Sequence, residues 1–159
     1  MYPLPIIQEI ISKWSGYKFF TKIDLTMMYY TFELDNESKE LATIITSYGK
    51  FQYCWMAMGL KLSPDFAQSI IEDVLRNLNV DVHINDLAIF SINYKERTAK
   101  IIAVLRQLED NGFKVNPAKC KWAVKEADFL GYWLTPTGVK PWSKKIDAVL
   151  KLSPPLNVT

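Results

Sequence analysis

Apolar residues recur at helical spacing in three segments of the chain. Each segment also has a helix start or stop signal: Pro5 and Gly16 flank the first, Ser63 and Pro64 open the second, and Gly112 closes the third. The apolar positions are Ile6, Ile7, Ile10, Ile11 and Trp14; then Phe66, Ile70, Ile71, Val74, Leu75 and Leu78; then Ile101, Leu105 and Leu108. The spacing predicts three amphipathic helices, each with one buried face.

Short runs rich in β-branched and aromatic residues predict strands between and after these helices. They cover residues 19–25, 29–34, 42–46, 51–56, 80–84, 87–92, 113–115, 121–124, 129–134 and 139–142, with turns at Asp35-Asn36, Asn85-Asp86 and Thr137-Gly138. The core order is strand, helix, strand pair, helix, strand. That order predicts an α+β fold, with an antiparallel sheet and helices packed on one of its faces. Pro154-Pro155 suggests one domain over residues 1–150 and a tail over 151–159.

Composition excludes several classes of protein. The chain has 159 residues, 49% of them hydrophobic, which fits one globular domain and argues against disorder. Two distant cysteines and one histidine give neither a zinc-binding pattern nor a disulfide framework. No secretory signal or membrane-spanning stretch is present, so we expect an intracellular, non-secreted protein of unknown compartment with no membrane partner. The net charge of +2 is compatible with a nucleic-acid partner without requiring one.

Two aspartates lie at positions that are suitable for metal binding. Asp24 lies near the end of the first core strand, and Asp86 lies at the predicted turn between the paired strands. If those strands are neighbours, both carboxylates converge at one end of the sheet, where magnesium would find hard oxygen ligands. Two such ions about 4 Å apart could activate a 3′-hydroxyl and stabilise a leaving pyrophosphate. The alternative is that each aspartate only hydrogen-bonds its local backbone.

Eight short motifs occur in one order along the chain. They are Tyr2-Pro3-Leu4-Pro5, Phe20-Thr21-Lys22-Ile23-Asp24-Leu25, Tyr48-Gly49, Met58-Gly59-Leu60, Ser63-Pro64, Phe90-Ser91, Asn116-Pro117-Ala118-Lys119-Cys120 and Phe129-Leu130-Gly131-Tyr132. Together they resemble the reverse transcriptase domain of gypsy-type LTR retrotransposon polyproteins, from Tyr2 to about Leu150. The resemblance implies a polymerase palm with part of the fingers. It also implies an RNA or DNA template with a primer and deoxynucleotides as partners, and two Mg²⁺ ions.

The resemblance also implies roles for individual residues. Asp24 matches a catalytic ligand of both metal ions, and Asp86 matches a further metal-binding carboxylate. Leu25, Tyr29 and Met58 match positions at the incoming nucleotide, although Tyr29 and Met58 could equally be packing residues. The primer would be contacted by His83, Phe129, Leu130, Gly131 and Tyr132.

This chain departs from the family at the catalytic turn. The family carries Tyr-x-Asp-Asp, and this chain has His83-Ile84-Asn85-Asp86. Asn85 stands where a second catalytic, metal-binding aspartate belongs, and its amide is neutral and a poorer magnesium ligand. His83 replaces a tyrosine that touches the primer, or is simply a tolerated strand residue.

The family's Arg-rich finger stretch, thumb and RNase H regions are not in this sequence, and we expect them from a parent polyprotein. We therefore expect impaired RNA-directed DNA polymerase activity. The alternatives are a catalytically silent nucleic-acid-binding palm and a decayed retrotransposon remnant. The sequence does not indicate an oligomeric state.

Overall fold

The chain is organised around a long strand near its N-terminus. A computed structural model describes residues 2–14, 16–142, 146, 150 and 151, without the side chain of Ile11. The helices are α1 (Ile7–Ser12), a 3₁₀ helix (Met28–Thr31), α2 (Asn36–Leu41), α3 (Ser63–Leu75) and α4 (Tyr94–Asp110). The strands are β1 (Phe19–Thr26), β2 (Thr43–Thr46), β3 (Gly49–Gln52), β4 (Val80–His83), β5 (Asp86–Ser91), β6 (Lys114–Val115), β7 (Lys121–Val124), β8 (Ala127–Phe129), β9 (Tyr132–Thr135) and β10 (Gly138–Pro141).

The central sheet is antiparallel and has β1 in its middle. Its order is β4-β5-β1-β6, and β7 also pairs with β1 beside β6. The register between β1 and β5 runs without interruption from Phe19 opposite Ser91 to Asp24 opposite Asp86. A three-stranded sheet, β10-β9-β8, and the β2–β3 hairpin complete the described strands. This arrangement confirms the predicted α+β fold.

The two faces of the central sheet are buried against different layers. Ile23 and Leu25 of β1 and Leu87 and Ile89 of β5 pack beneath α3 and α4, in one apolar cluster with Ile71. Residues two apart on a strand share a face, so Phe20 points to the opposite side. Helices α3 and α4 therefore cover one face, as the sequence predicts, whereas the short α1 lies on the other.

Trp14 anchors that second layer. Its ring lies 4.7 Å from Phe90 and 5.1 Å from Phe129, measured between ring centroids, and its indole Nε1 donates to Asp81 Oδ2 at 2.8 Å. A buried tryptophan needs a partner for its N–H, and Asp81 supplies one. The contact fixes α1 and the loop after it against β4, β5 and β8.

Two predicted strands are wrong in this structure. Residues 29–34 were expected to be extended, but Met28–Thr31 form a 3₁₀ helix that follows a left-handed residue, Met27 at φ 50°. That turn, directly after β1, overrides the strand preference of the aromatic residues. Residues 129–134 are not one strand either, because Leu130 and Gly131 both have positive φ and form the turn between β8 and β9.

Smaller differences concern the surface. Residues 51–56 were predicted as a strand, but β3 is Gly49–Gln52. Helix α2 was not predicted; it begins because the Asp35 side chain accepts from Ser38 N at 2.7 Å, a typical N-cap. Phe66, expected to be buried on α3, is 49% exposed. The predicted tail over 151–159 lies outside the described residues apart from Lys151.

Candidate active site

Asp24 and Asp86 lie side by side at one end of the central sheet. They are direct partners in the β1–β5 ladder, and His83 is the partner of Asp86 in the β4–β5 ladder. Partners in an antiparallel ladder point to the same face, with Cβ atoms roughly 4.5–5.5 Å apart. The three side chains therefore form a row across three strands, with the two carboxylates next to each other.

The turn that carries Asn85 is two residues long. His83 pairs with Asp86, so the central residues are Ile84 and Asn85, one position earlier than the Asn85-Asp86 turn predicted from the sequence. Ile84 has φ 53°, a left-handed conformation that costs a β-branched residue roughly 1–2 kcal/mol. The Asn85 carbonyl accepts from Leu25 N at 2.8 Å, which ties the turn to β1.

Lys22 provides a positive charge beside the carboxylates. It stands two residues before Asp24 on β1 and so shares its face of the sheet. Its Nζ lies 3.3 Å from Asp86 Oδ1 and 3.8 Å from Asp128 Oδ2. Asp86 Oδ1 is buried and has no hydrogen-bond partner among the described residues, so the short contact with Lys22 is one of charge rather than a hydrogen bond.

Asp24 is buried and held mainly through its backbone. Its N–H donates to Cys120 Sγ at 3.5 Å, and its carbonyl accepts from Asn116 N at 2.9 Å. Its carboxylate lies 3.6 Å from Lys119 Nζ, but Lys119 is largely exposed and its attraction is screened by water. Burial raises the pKa of the Cys120 thiol, and the nearby Asp24 carboxylate adds to that rise.

A third lysine completes the charge balance. Lys121 Nζ lies 3.0 Å from Asp128 Oδ1. Among the described residues this gives three carboxylates, on Asp24, Asp86 and Asp128, and three ammonium groups, on Lys22, Lys119 and Lys121. The sequence reasoning missed the lysines and Asp128. Strand alternation could have identified Lys22, whereas the others come from β7, β8 and the loop before them.

These residues fit one divalent cation better than two. Magnesium commonly binds to one or two carboxylates and completes its shell with water and phosphate oxygens, and the Asp24–Asp86 pair supplies that set. The unsatisfied Asp86 Oδ1 is a suitable oxygen donor. No group of three or more His, Cys, Asp or Glu side chains that could hold a metal occurs in the part of the chain that the structure describes.

The structure places the three predicted nucleotide-binding residues in different surroundings. Leu25 is 3% exposed and packs into the core under α3, and its backbone N–H contacts the Ile84–Asn85 turn. Tyr29 is half-buried in the 3₁₀ helix, and burial raises its pKa. Met58 is 66% exposed in a loop. Tyr29 packs against the main apolar cluster from the 3₁₀ helix rather than from a strand.

The predicted primer-contact residues occupy the β8–β9 hairpin beside Lys22. Phe129 is a core residue, buried against Trp14, and the Lys22 ammonium lies 6.0 Å from its ring centroid. Leu130 and Gly131 form the turn, and Tyr132 pairs with Phe129 across the hairpin. A nucleic-acid contact here would therefore involve the turn and Tyr132 rather than the Phe129 ring.

An open cavity of about 480 Å³ adjoins the carboxylates. It is lined by Lys22, Asp24, Ala118, Lys119, Lys121, Asp128, Trp133 and Trp142. Lysine and tryptophan side chains are a combination that can contact phosphate groups and stack against bases.

Comparisons with known proteins identify the family of this chain. The family described as reverse transcriptase (RNA-dependent DNA polymerase) matches residues 1–134. The chain is 34% identical over 152 residues to a retrovirus-related Pol polyprotein from transposon 297 of Drosophila melanogaster, covering 94% of the chain and 14% of that protein. It is 28% identical to the transposon Tf2-3 polyprotein of Schizosaccharomyces pombe, covering 99% of the chain and 12% of that protein.

Solved structures show the same fold. A foamy viral protease-reverse transcriptase in complex with an RNA/DNA hybrid superposes with a TM-score of 0.90 at 19% identity, covering 96% of this chain and 21% of that one. The same kind of protein in complex with double-stranded DNA gives a TM-score of 0.91 at 19% identity, covering 98% of this chain and 33% of that one.

The fold is that of a reverse transcriptase palm. The chain belongs to the reverse transcriptase (RNA-dependent DNA polymerase) family, and its relatives are retrovirus-related and transposon polyproteins. It spans about one seventh of the length of the transposon 297 polyprotein. Within the described residues, no helix combines the length and apolar character needed to cross a membrane.

Proposed function

We propose that this chain is the palm, with part of the fingers, of a gypsy-type RNA-directed DNA polymerase whose nucleotide-adding activity is impaired. One observation carries the proposal: Asp24 and Asp86 are ladder partners at the end of the sheet, while the turn between β4 and β5 carries an amide at Asn85. The carboxylate pair supports a polymerase site, and the amide supports its impairment.

The chain's own residues would bind and orient the reacting groups. Asp24 and Asp86 would hold Mg²⁺, which when bound activates a 3′-hydroxyl and stabilises charge on the leaving phosphates. The β8–β9 turn and His83 would contact the primer, and Tyr29 and Met58 would lie towards the incoming deoxynucleotide. The template, primer and deoxynucleotides are the partners that this arrangement would accept.

The impairment follows from charge. An aspartate at position 85 would leave the cluster with one more negative charge than its three ammonium groups balance, and a cation would supply the difference. With Asn85 the carboxylates of Asp24, Asp86 and Asp128 are already matched by lysines. Weaker cation binding and weaker stabilisation of the transition state should follow together.

Primer extension tests this proposal directly. The unchanged protein is assayed with a DNA primer on an RNA template, in Mg²⁺ and in Mn²⁺, beside Asn85→Asp and the double variant Asp24→Asn with Asn85→Asp. We expect near-background extension by the unchanged protein, an increase of roughly 10²-fold in Asn85→Asp, and loss of that increase in the double variant. Robust extension by the unchanged protein would contradict the impairment, and failure of Asn85→Asp would show that restoring this carboxylate alone is not sufficient for activity.

The cavity beside the carboxylates favours a second candidate, a nucleic-acid-binding palm without catalysis. Lys119 and Lys121 are 64% and 45% exposed at their side chains, and Trp133 and Trp142 line the same space. Binding through phosphate groups would make affinity fall as salt rises.

Fluorescence anisotropy with a labelled RNA/DNA hybrid, between 50 and 200 mM salt, tests this candidate. Lys119→Gln with Lys121→Gln should weaken binding and flatten the salt dependence, and Lys95→Gln with Lys125→Gln is the matched control. Equal effects of both pairs would contradict binding in this cavity. A decayed remnant would show no salt-dependent binding at all.

A further inference from the structure

Gln68 is a buried polar side chain beneath the catalytic turn. It lies on α3, is fully shielded from solvent, and stands among the apolar residues that face the central sheet. A glutamine in such a place needs partners for both its oxygen and its nitrogen. Among the described residues, its partners lie on β4, at the Ile84–Asn85 turn and one helical turn further along α3.

The Gln68 amide holds the backbone on both sides of His83. Its Oε1 accepts from Ile84 N at 2.6 Å, and its Nε2 donates to Val82 O at 3.0 Å. Nε2 also donates to Glu72 Oε1, whose other carboxylate oxygen accepts from the Tyr2 hydroxyl. The amide therefore bridges α3 to the strand end and to the first residue of the turn.

The backbone that Gln68 contacts is the strained part of the turn. Ile84 has φ 53°, where hairpin turns of two residues usually carry glycine. Such conformations persist only where the surrounding structure holds them in place. Two contacts do so here: Gln68 from the α3 side at Ile84, and Leu25 N from β1 at the Asn85 carbonyl.

We propose that Gln68 is a positioning residue that fixes the Ile84–Asn85 turn and thereby places Asn85 and Asp86 against Asp24. The consequence for nucleotide addition depends on the proposed function, but the positioning itself does not. The uncharged amide accepts from Ile84 N and donates to Val82 O simultaneously, and its second N–H reaches Glu72. An ionised glutamate at this position could not donate to Val82 O, and its charge would be repelled by Glu72. A methionine could make neither the hydrogen bond to Val82 O nor the one from Ile84 N.

The substitutions Gln68→Met and Gln68→Glu test the proposal by NMR, with Gln107→Met on α4 as the matched control. The measurements are amide hydrogen exchange at Ile84 and Leu87 and the HN–Hα coupling of Ile84, which reports its φ. We expect exchange at Ile84 to accelerate at least ~10-fold in Gln68→Met and its coupling to change, while Leu87, in the core of β5, stays protected. Gln107→Met should change neither.

Gln68→Glu supplies a readout that a purely structural role would not give. A protonated glutamic acid again has one donor and one acceptor, so slow exchange and the original coupling at Ile84 should return as the pH falls below about 6. The unchanged protein, measured over the same pH range, is the control for pH effects that do not come from residue 68. The coupling is measured because intrinsic amide exchange itself varies with pH.

Each outcome decides the proposal. A turn that keeps its coupling and protection in Gln68→Met overturns it. If Gln68→Met loses protection everywhere, the Glu variant decides: recovery at Ile84 at low pH supports the proposal, and no recovery overturns it. None of these NMR measurements depends on catalysis, so the conclusion about Gln68 does not depend on the result of the primer-extension test. In the Asn85→Asp background, Gln68→Met should also weaken Mn²⁺ binding about 10-fold.

Discussion

Asp24 and Asp86 face each other across the β1–β5 ladder, and Lys22, two residues before Asp24, lies within 3.3 Å of the same Asp86 carboxylate. Two carboxylates on adjacent strands repel each other unless a cation lies nearby. In this chain a lysine ammonium supplies that positive charge. A divalent cation entering the site would therefore compete with Lys22 for Asp86.

Asn85→Asp should raise the affinity for divalent cations. The added carboxylate gives a third oxygen donor and a net negative charge at the turn, so we expect Mn²⁺ to bind roughly 10-fold more tightly or better. Mn²⁺ binding can be followed by electron paramagnetic resonance of the free ion. Asn79→Asp, at the exposed residue before β4 and away from the turn, adds the same charge elsewhere and should change the affinity little. Equal gains in both variants would contradict a local effect.

Lys22→Met should change stability and cation affinity in opposite directions. The half-buried Asp86 carboxylate loses its counter-ion, so we expect the free energy of unfolding to fall by about 1–3 kcal/mol. Without the Lys22 ammonium, the Asp86 carboxylate is available to bind a metal cation, so the affinity for Mn²⁺ should rise. Urea unfolding and Mn²⁺ titration measure the two effects on one sample.

Lys121→Met is the control for that experiment. Lys121 is more exposed and contacts Asp128 rather than Asp86, so its loss should cost less than about 1 kcal/mol and leave cation affinity nearly unchanged. If Lys22→Met lowered both stability and Mn²⁺ affinity, Lys22 would hold the site together rather than compete with a cation.

The pairing of Asp24 with Asp86 could be predicted because it depends on local patterns. The strand that contains Asp24 and the two strands that flank the turn before Asp86 are rich in β-forming residues. When such strands are neighbours in a sheet, their ends lie close together. The turn was misplaced by one residue, since an Asn-Asp pair is a better turn signal than an isoleucine with positive φ. Only the surrounding contacts explain why Ile84 adopts that conformation.

The remaining site residues depend on contacts between distant segments. Lys119, Lys121 and Asp128 reach the site because β7 pairs with β1 and β8 packs beside it, and no local pattern specifies that approach. Gln68 had a weak signal, as a polar residue at the spacing of Ile71 and Leu75 on the buried face of α3. The 3₁₀ helix at Met28–Thr31 shows tertiary structure overriding a strand-forming composition.

Trp14→Phe should destabilise the protein through a lost hydrogen bond and lost packing. Phenylalanine cannot donate to Asp81 and fills less of the buried space beside Phe90 and Phe129, so we expect the free energy of unfolding to fall by about 2–4 kcal/mol. Chemical denaturation measures the change. Trp122→Phe, at a 41% exposed position, should stay within about 0.5 kcal/mol of the unchanged protein. A Trp14→Phe variant of unchanged stability would mean that the indole N–H contributes nothing.

Cys120 should react with alkylating reagents far more slowly than Cys54 in the folded protein. Cys54 is exposed, whereas Cys120 is partly buried beside Asp24. Burial raises the pKa of the Cys120 thiol, so at pH 8 a smaller fraction is the reactive thiolate, and its alkylation should keep accelerating to a higher pH than for an ordinary thiol. Mass spectrometry after iodoacetamide treatment should show Cys54 modified at least ~10-fold faster, with the difference lost in urea. Cys54→Ala isolates the Cys120 reaction, and fast labelling of that variant at pH 8 would show that the Asp24 end of β1 opens readily to solvent.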